Sequence, residues 1–202
     1  MNGLVWLRSD LRLDDNPALS IADNECEKIV CLYLLSEEEW KTHNNANVKL
    51  DFIIQNLSNL SKDLKKLNIP LIAASIKNFD LIPKQIAEFS KSNNISKCYW
   101  NNEFGVDEQE RDQKVQNMLE ISQIDYQFFD EQIVFKPGTL LTGQGKPFSV
   151  FTPFKKKWIE NFSIDHLEIE SDISVKKNFH VMNTFNDEIS FVQNHEIGRA
   201  HV

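Results

Sequence analysis

The feature that most restricts how this chain can fold is a regular alternation. Short apolar runs are separated by segments with helical spacing, from residue 4 to residue 129. Five runs read as buried strands: LVWL (4–7), KIVCLYLL (28–35), IPLIAA (69–74), KCYWN (97–101) and DYQFF (125–129). Such short, continuously apolar runs suit a sheet covered on both faces. A helix is expected from about Asn16, with Asp14 or Asp15 as N-cap and Pro17 in the first turn. From 47 to 67, Leu50, Ile53, Ile54, Leu57, Leu60, Leu64 and Leu67 recur at steps of three and four, which makes one helical stripe. Helices are also expected from about Asp80 to Ser92, with Ile82, Ile86 and Phe89 inward, and from Asp107 to Glu120, with Val115, Met118 and Leu119 inward. Strands that alternate with helices at this spacing form parallel βαβ units. The expected fold is therefore α/β: a Rossmann-like five-stranded parallel sheet with helices on both faces.

The pattern changes after residue 130. KPGTLLTGQGKPF (136–148) holds three of the six glycines and two of the six prolines and reads as a turn and loop. TPFKKKWIENF (152–162) reads as a short helix with Thr152 as N-cap and Pro153 at its first position. Residues 163–195 lack sustained periodicity and read as an irregular linker with weak apolar anchors, Phe179, Phe185 and Phe191; His166 and His180 are expected to be solvated there. The last seven residues, EIGRAHV (196–202), back-translate to GAG ATC GGA AGA GCA CAC GTC, which contains the start of a common sequencing adapter. They are expected to be an adapter-derived artefact, with the natural protein continuing past about residue 195.

Composition excludes several classes. The net charge of -8 argues against a chain that by itself clamps nucleic acid, because phosphate binding needs clustered Lys and Arg. The three cysteines, Cys26, Cys31 and Cys98, are odd in number and fit reduced thiols in a cytoplasmic protein better than a disulfide or a metal site. The N-terminus, MNGLVWLRSD, has no basic segment followed by a long apolar run, so no signal peptide is expected. No apolar stretch approaches the roughly 18 residues of a membrane helix.

Ligands of open parallel sheets sit outside the carboxyl ends of the strands, so the loops there are the first places to look. The loop after the first strand has neither G-x-G-x-x-G nor G-x-x-x-x-G-K-[ST], so no phosphate cradle is expected. It carries Arg8, Asp10 and Arg12 instead, which read as an ion-pair network bracing the sheet's end. The loop after the second strand, EEEWKTHNNAN (37–47), sets Trp40 and His43 beside an Asn-rich turn, a combination that can line a pocket for a flat aromatic ligand. In WNNEFGVDEQERD (100–112), Glu103, Asp107 and Glu108 surround a helix start. They can serve the helix dipole, or accept hydrogen bonds from an amino-heterocycle. No nucleophile with an adjacent base and no zinc spacing is found, so neither catalytic nor metal-binding residues are assigned.

Three of these segments together resemble one family. WLRSDLRLDDNPAL (6–19) resembles the N-terminal signature of the DNA photolyase/cryptochrome family, W-[FL]-R-x-D-L-R-x-x-D-N-x-A-L. YWNNEFGVDEQERD (99–112) resembles that family's segment after its fourth strand, and VFTPFKKKW (150–158) its V-[FY]-T-P-[FY]-x-x-x-W segment. The resemblance covers roughly residues 3 to 162.

The resemblance implies an N-terminal α/β domain (1–162), an interdomain linker (163–195) and a C-terminal all-helical domain that this chain is expected to lack. In the family the helical domain binds FAD and the flipped pyrimidine dimer of UV-damaged DNA, and light-excited reduced flavin lends the dimer an electron that splits it. The α/β domain often holds an antenna chromophore, frequently methenyltetrahydrofolate. The folate-type photolyases use a His in a T-H-N loop, here His43, and an Asn-Glu pair at the helix after the fourth strand, here Asp107 and Glu108. Glu108 keeps the carboxylate that would bond the pterin's amino and ring N–H groups; Asp107 departs from Asn and exchanges an amide donor for an acceptor. The implied function is the antenna domain of a deoxyribodipyrimidine photolyase, cytoplasmic and monomeric, inactive as this fragment. A cryptochrome-type light sensor and a stand-alone nucleotide-binding protein of universal-stress type remain alternatives.

Overall fold

The computed structural model describes residues 1–43, 46–164, 172–182 and 185. Phe191, His166 and the expected artefact at 196–202 lie outside the described residues. Five strands, β1 (Asn2–Leu7), β2 (Lys28–Ser36), β3 (Leu71–Ile76), β4 (Lys97–Asn101) and β5 (Asp125–Phe129), form one sheet in the order β3-β2-β1-β4-β5. Every pairing is parallel. The helices are α1 (Pro17–Glu25), α2 (Glu37–Thr42), α3 (Asn47–Lys66), α4 (Ile82–Ser92), α5 (Val106–Ile121) and α6 (Phe151–Asn161). The expected doubly covered parallel sheet is what the chain forms.

Strand alternation divides the core in two. Leu4 and Trp6 of β1, Leu32 and Leu34 of β2, and Trp100 of β4 pack with Ile82, Ile86 and Phe89 of α4 and Val115 and Leu119 of α5. Val5, Leu7, Cys31, Tyr33 and Tyr99 point the other way, towards Leu19 of α1 and Leu57, Leu60 and Leu64 of α3. A period of two on a sheet covered on both faces makes the central positions of β1 (4–7) and β2 (29–35) apolar on both sides. That is why the strands read as unbroken apolar runs.

Local details differ from the expectations. The N-cap of α1 is Asn16, whose side chain accepts from the Leu19 amide at 3.2 Å. Asp15 instead takes a left-handed conformation (φ 51°) that carries the chain into the helix, as short polar residues tolerate. Helix α6 begins at Phe151, so Pro153 is its third residue. Proline is still acceptable there, because the N–H groups of a first turn have no partner within the helix. Residues 37–42, read as loop, form α2.

The described part of the expected irregular linker has no α-helix or strand, but it is tied to the domain. Residues 172–182 run under the amino ends of the strands. The Lys176 amide donates to the Leu67 carbonyl at 2.9 Å and the Lys177 amide to that of Glu27 at 3.1 Å. Asn93 holds Met182 in both directions, at 2.7 and 3.0 Å. Phe179, Val181 and Phe185 pack against the α4/α5 side of the core, so the two expected anchors within the described residues do anchor. His180 is exposed.

Candidate functional site

The strand order reverses direction between β1 and β4, the point where open α/β sheets usually admit a ligand. Here that point is filled. The Arg8 amide donates to Asp10 Oδ1 at 2.7 Å, and Asn101 Nδ2 donates to Asp10 Oδ2 at 2.6 Å and to Asn16 Oδ1 at 2.8 Å. Arg8 Nη1 reaches both oxygens of Asp112 at 3.0 and 3.2 Å. Arg111 donates through Nε to Asp112 at 2.9 Å and through Nη2 to Glu103 at 2.9 Å. Arg8, Asp10, Asn16, Asn101, Arg111 and Asp112 are all buried. The guanidinium groups of Arg8 and Arg111 both lie against the Trp6 ring, at 4.5 and 4.8 Å from its centre. The charges after β1 thus brace the sheet's end as expected. Arg12 joins more loosely, half-exposed and paired with Glu131.

The plug has a pH signature. Burial works to raise the Glu103 carboxyl, but Arg8 and then Arg111 outweigh it and hold it below its ordinary value of 4.5. A carboxyl depressed by folding contributes stability that is present above its unfolded-state pKa and is lost as pH falls through its native one. Glu103→Gln is therefore expected to flatten the fall in stability below pH 4.5. Urea midpoints measured at a series of acidic pH values check this, and an unchanged slope would exclude Glu103 from the role.

Beside the plug, above the loops that follow β2, β3 and β4, lies an open cleft of about 320 Å³. Its lining includes Glu39 and His43 from α2 and its end, Phe79 and Asp80 after β3, and Asp107, Glu110, Arg111 and Lys114 of α5. Two cross-links rim it: His43 Nε2 to Asp107 Oδ2 at 3.8 Å, and Lys114 to Asp80 at 2.8 Å. Both His43 and Asp107 are more than half exposed, so their pairing contributes little to stability and leaves both free to meet a ligand. Helix α2, which presents His43, is fixed to the loop after β3. Glu39 accepts from the Phe79 amide at 3.2 Å and Glu38 from Asn78 Nδ2 at 3.0 Å.

Of the three residues expected to form a site, His43 and Asp107 meet at the rim. Glu108 is outside the lining. Its carboxylate folds back over Gly105, into space that a Cβ at that position would fill. Arg111 and Asp112, central to the site, escaped the sequence reading. A signal was present: Arg111 and Asp112 lie four and three residues before Val115, on the inward stripe of α5. A charged residue on an apolar stripe needs a buried partner. The Ser36–Glu39 pair, which hydrogen-bond each other at the start of α2, is a Ser-x-x-Glu signature that would have marked that helix.

The turn at 142–146 closes on itself, with the Thr142 amide donating to the Lys146 carbonyl at 2.8 Å, and it caps no strand of the sheet. It builds no phosphate cradle, so nothing favours a universal-stress-type nucleotide site. Cys26, Cys31 and Cys98 are free and buried; burial pushes the Cys98 thiol up to about 12. Among the described residues no helix is long and apolar enough to cross a membrane.

Fold and cleft together define an open α/β domain whose open cleft lies beside, not at, its blocked switch point. The family model DNA photolyase matches residues 3–172, and the chain belongs to that family. It is 36% identical over 159 residues to the deoxyribodipyrimidine photo-lyase of Vibrio cholerae, covering 79% of this chain and 34% of that protein. With the Escherichia coli deoxyribodipyrimidine photo-lyase it shares 31% identity over 158 residues, 78% of this chain and 33% of the relative. The chain thus spans about a third of the length of these relatives. A class III photolyase from Agrobacterium tumefaciens has the same fold, with a TM-score of 0.76 at 22% identity over 97% of this chain and 38% of its own. A Synechocystis cryptochrome also shares it, with a TM-score of 0.62 at 22% identity over 90% of this chain and 41% of its own.

Proposed function

We propose that this chain is the antenna-binding α/β domain of a light-driven deoxyribodipyrimidine photo-lyase. The observation that carries this reading is the 36% identity to a photo-lyase across nearly the whole α/β domain. Domain limits of 1–162, with a linker over 163–195 leading to a helical domain, follow from the same reading. In the whole protein, FAD held in that helical domain would supply the photochemical electron that splits cyclobutane pyrimidine dimers in UV-damaged DNA. The protein would work in the cytoplasm as a monomer, and the 202-residue chain alone would be inactive.

The antenna we assign is methenyltetrahydrofolate, with its pterin end in the cleft between α2 and α5. The cleft's volume is at the low end for a small-molecule site, which suits a pocket completed by another domain. Its donor set suits a pterin. Glu39, Asp80, Asp107 and Glu110 offer acceptors for amino and ring N–H groups, and Arg111 and Lys114 offer donors. His43 would close one edge and Asp107 would contact the ring. Glu108 would swing from its place over Gly105 to reach an amino group. An aspartate offers acceptors at this position, whereas an asparagine can also donate to the pterin carbonyl.

Asp107→Asn is accordingly expected to tighten methenyltetrahydrofolate binding by about tenfold, the value of one added hydrogen bond. Fluorescence titration of the purified chain checks it, with His43→Ala expected to weaken binding. If neither substitution changes the affinity, the cleft is not the antenna site. Absence of FAD retention and of dimer repair under light is the companion expectation, and repair by the chain alone would overturn the domain reading.

A further inference from the structure

Helix α6 stands apart from the rest of the molecule. None of its eleven residues is buried, and only Phe154 and Trp158 turn inward, into a groove lined by residues 132–140. Trp158 meets Phe135 edge-on at 5.6 Å, and Phe154 meets Phe148 at 5.9 Å. The second contact brings the turn carrying Lys146 beside the helix. The solvent side carries Lys155, Lys156 and Lys157, all exposed. At about 100° per residue they fan over roughly 200° of the helix surface. None makes an ion pair among the described residues, although Glu160 lies one turn beyond Lys156. From 146 to 161 there are four lysines and one acidic residue, in a chain whose net charge is -8. An acidic protein gains nothing for solubility by collecting unpaired lysines in one place, whereas a phosphate backbone is attracted to such a cluster.

We infer that the lysine face of α6, with Lys146 beside it, is a contact surface for the sugar–phosphate backbone of duplex DNA, separate from any dimer-binding pocket. The inference rests on reading the chain as part of a DNA-repair protein. The contact is made to phosphates and is independent of base sequence, and it would hold the duplex against the α/β domain while the lesion is engaged elsewhere.

The test is heteronuclear NMR of the 202-residue chain titrated with a short undamaged duplex at low salt. Amide shifts are expected at 146–158 and not around the His43–Asp107 cleft. Two to three phosphate contacts predict a slope of log affinity against log salt of about -2 to -3. The triple variant K155Q/K156Q/K157Q is expected to lose about tenfold or more in affinity, with an unchanged melting temperature. No shifts, shifts confined elsewhere, or equal binding by the triple variant would overturn the inference. So would protection of these lysines from acetylation in a full-length relative without DNA, which would mean that α6 is covered by the protein's own remaining domain. Folate binding at the cleft is measured separately, so a failure here leaves the antenna assignment standing.

Discussion

Replacing Asp112 with alanine is expected to destabilise the domain by about 3–5 kcal/mol, the range for breaking a buried charge pair from one side. Asp112 receives both Arg8, at 3.0 and 3.2 Å, and Arg111, at 2.9 Å. Its removal leaves two buried guanidinium groups sharing Glu103. Arg8 has little reserve: among the described residues its Nε and Nη2 have no hydrogen-bond partner, and Nε lies 3.9 Å from Glu103. Urea denaturation followed by tryptophan fluorescence is the measurement, because Trp6 contacts both arginines and senses their arrangement. Asp112→Asn keeps the volume and some hydrogen bonds without the charge, so its loss should be intermediate. A loss near zero for the alanine variant would mean that the plug is not what holds the sheet's carboxyl end. Because Arg111 also lines the cleft, the same variant should weaken folate binding.

Asp23→Ala is expected to cost about 2–3 kcal/mol and to release the segment under the sheet. Asp23 accepts from Lys176 Nζ at 2.8 Å and from the Ser174 hydroxyl and amide at 2.9 and 3.2 Å. Lys176 and Asp23 are both shielded, and the lysine left behind keeps only the backbone carbonyl of residue 23, so it must gain water or the segment must lift away. Lifting limits the loss, which is why the expected cost is below that of Asp112. Hydrogen exchange distinguishes the two outcomes. The amides of Lys176 and Lys177, bonded to Leu67 and Glu27, should lose protection while those of β1 and β2 keep theirs. Unchanged protection at Lys176 and Lys177 would show that Phe179, Val181 and Phe185 hold the segment without the ion pair.

The strands and their parallel sense were legible because a two-sided sheet favours apolar residues on both faces of its central strands, β1 and β2, and helical stripes between them leave few ways to connect. The stripe of α3 was read residue by residue, and Ile54, Leu57, Leu60 and Leu64 are its buried members. Helix α2 was not legible by periodicity: six residues do not complete two turns, and its anchors Phe79 and Asn78 are some forty residues away. The attachment of the segment at 172–182 was not legible for a related reason. Its hydrogen bonds go to Leu67, Glu27 and Asn93, so it has no period of its own.

The sequence by itself determined the family, the five-stranded α/β fold and the bracing role of Arg8 and Asp10. Each of these is written in local spacing or in a contiguous motif. Only the tertiary structure decided that Arg111 and Asp112 complete the plug and that His43 meets Asp107 across the cleft. It also turned Glu108 away over Gly105 and bound the linker under the sheet. The physical reason is that charges and hydrogen bonds act over a few ångströms in space. Arg8 and Asp112 lie 104 residues apart in the chain, and only the folded sheet brings them within reach.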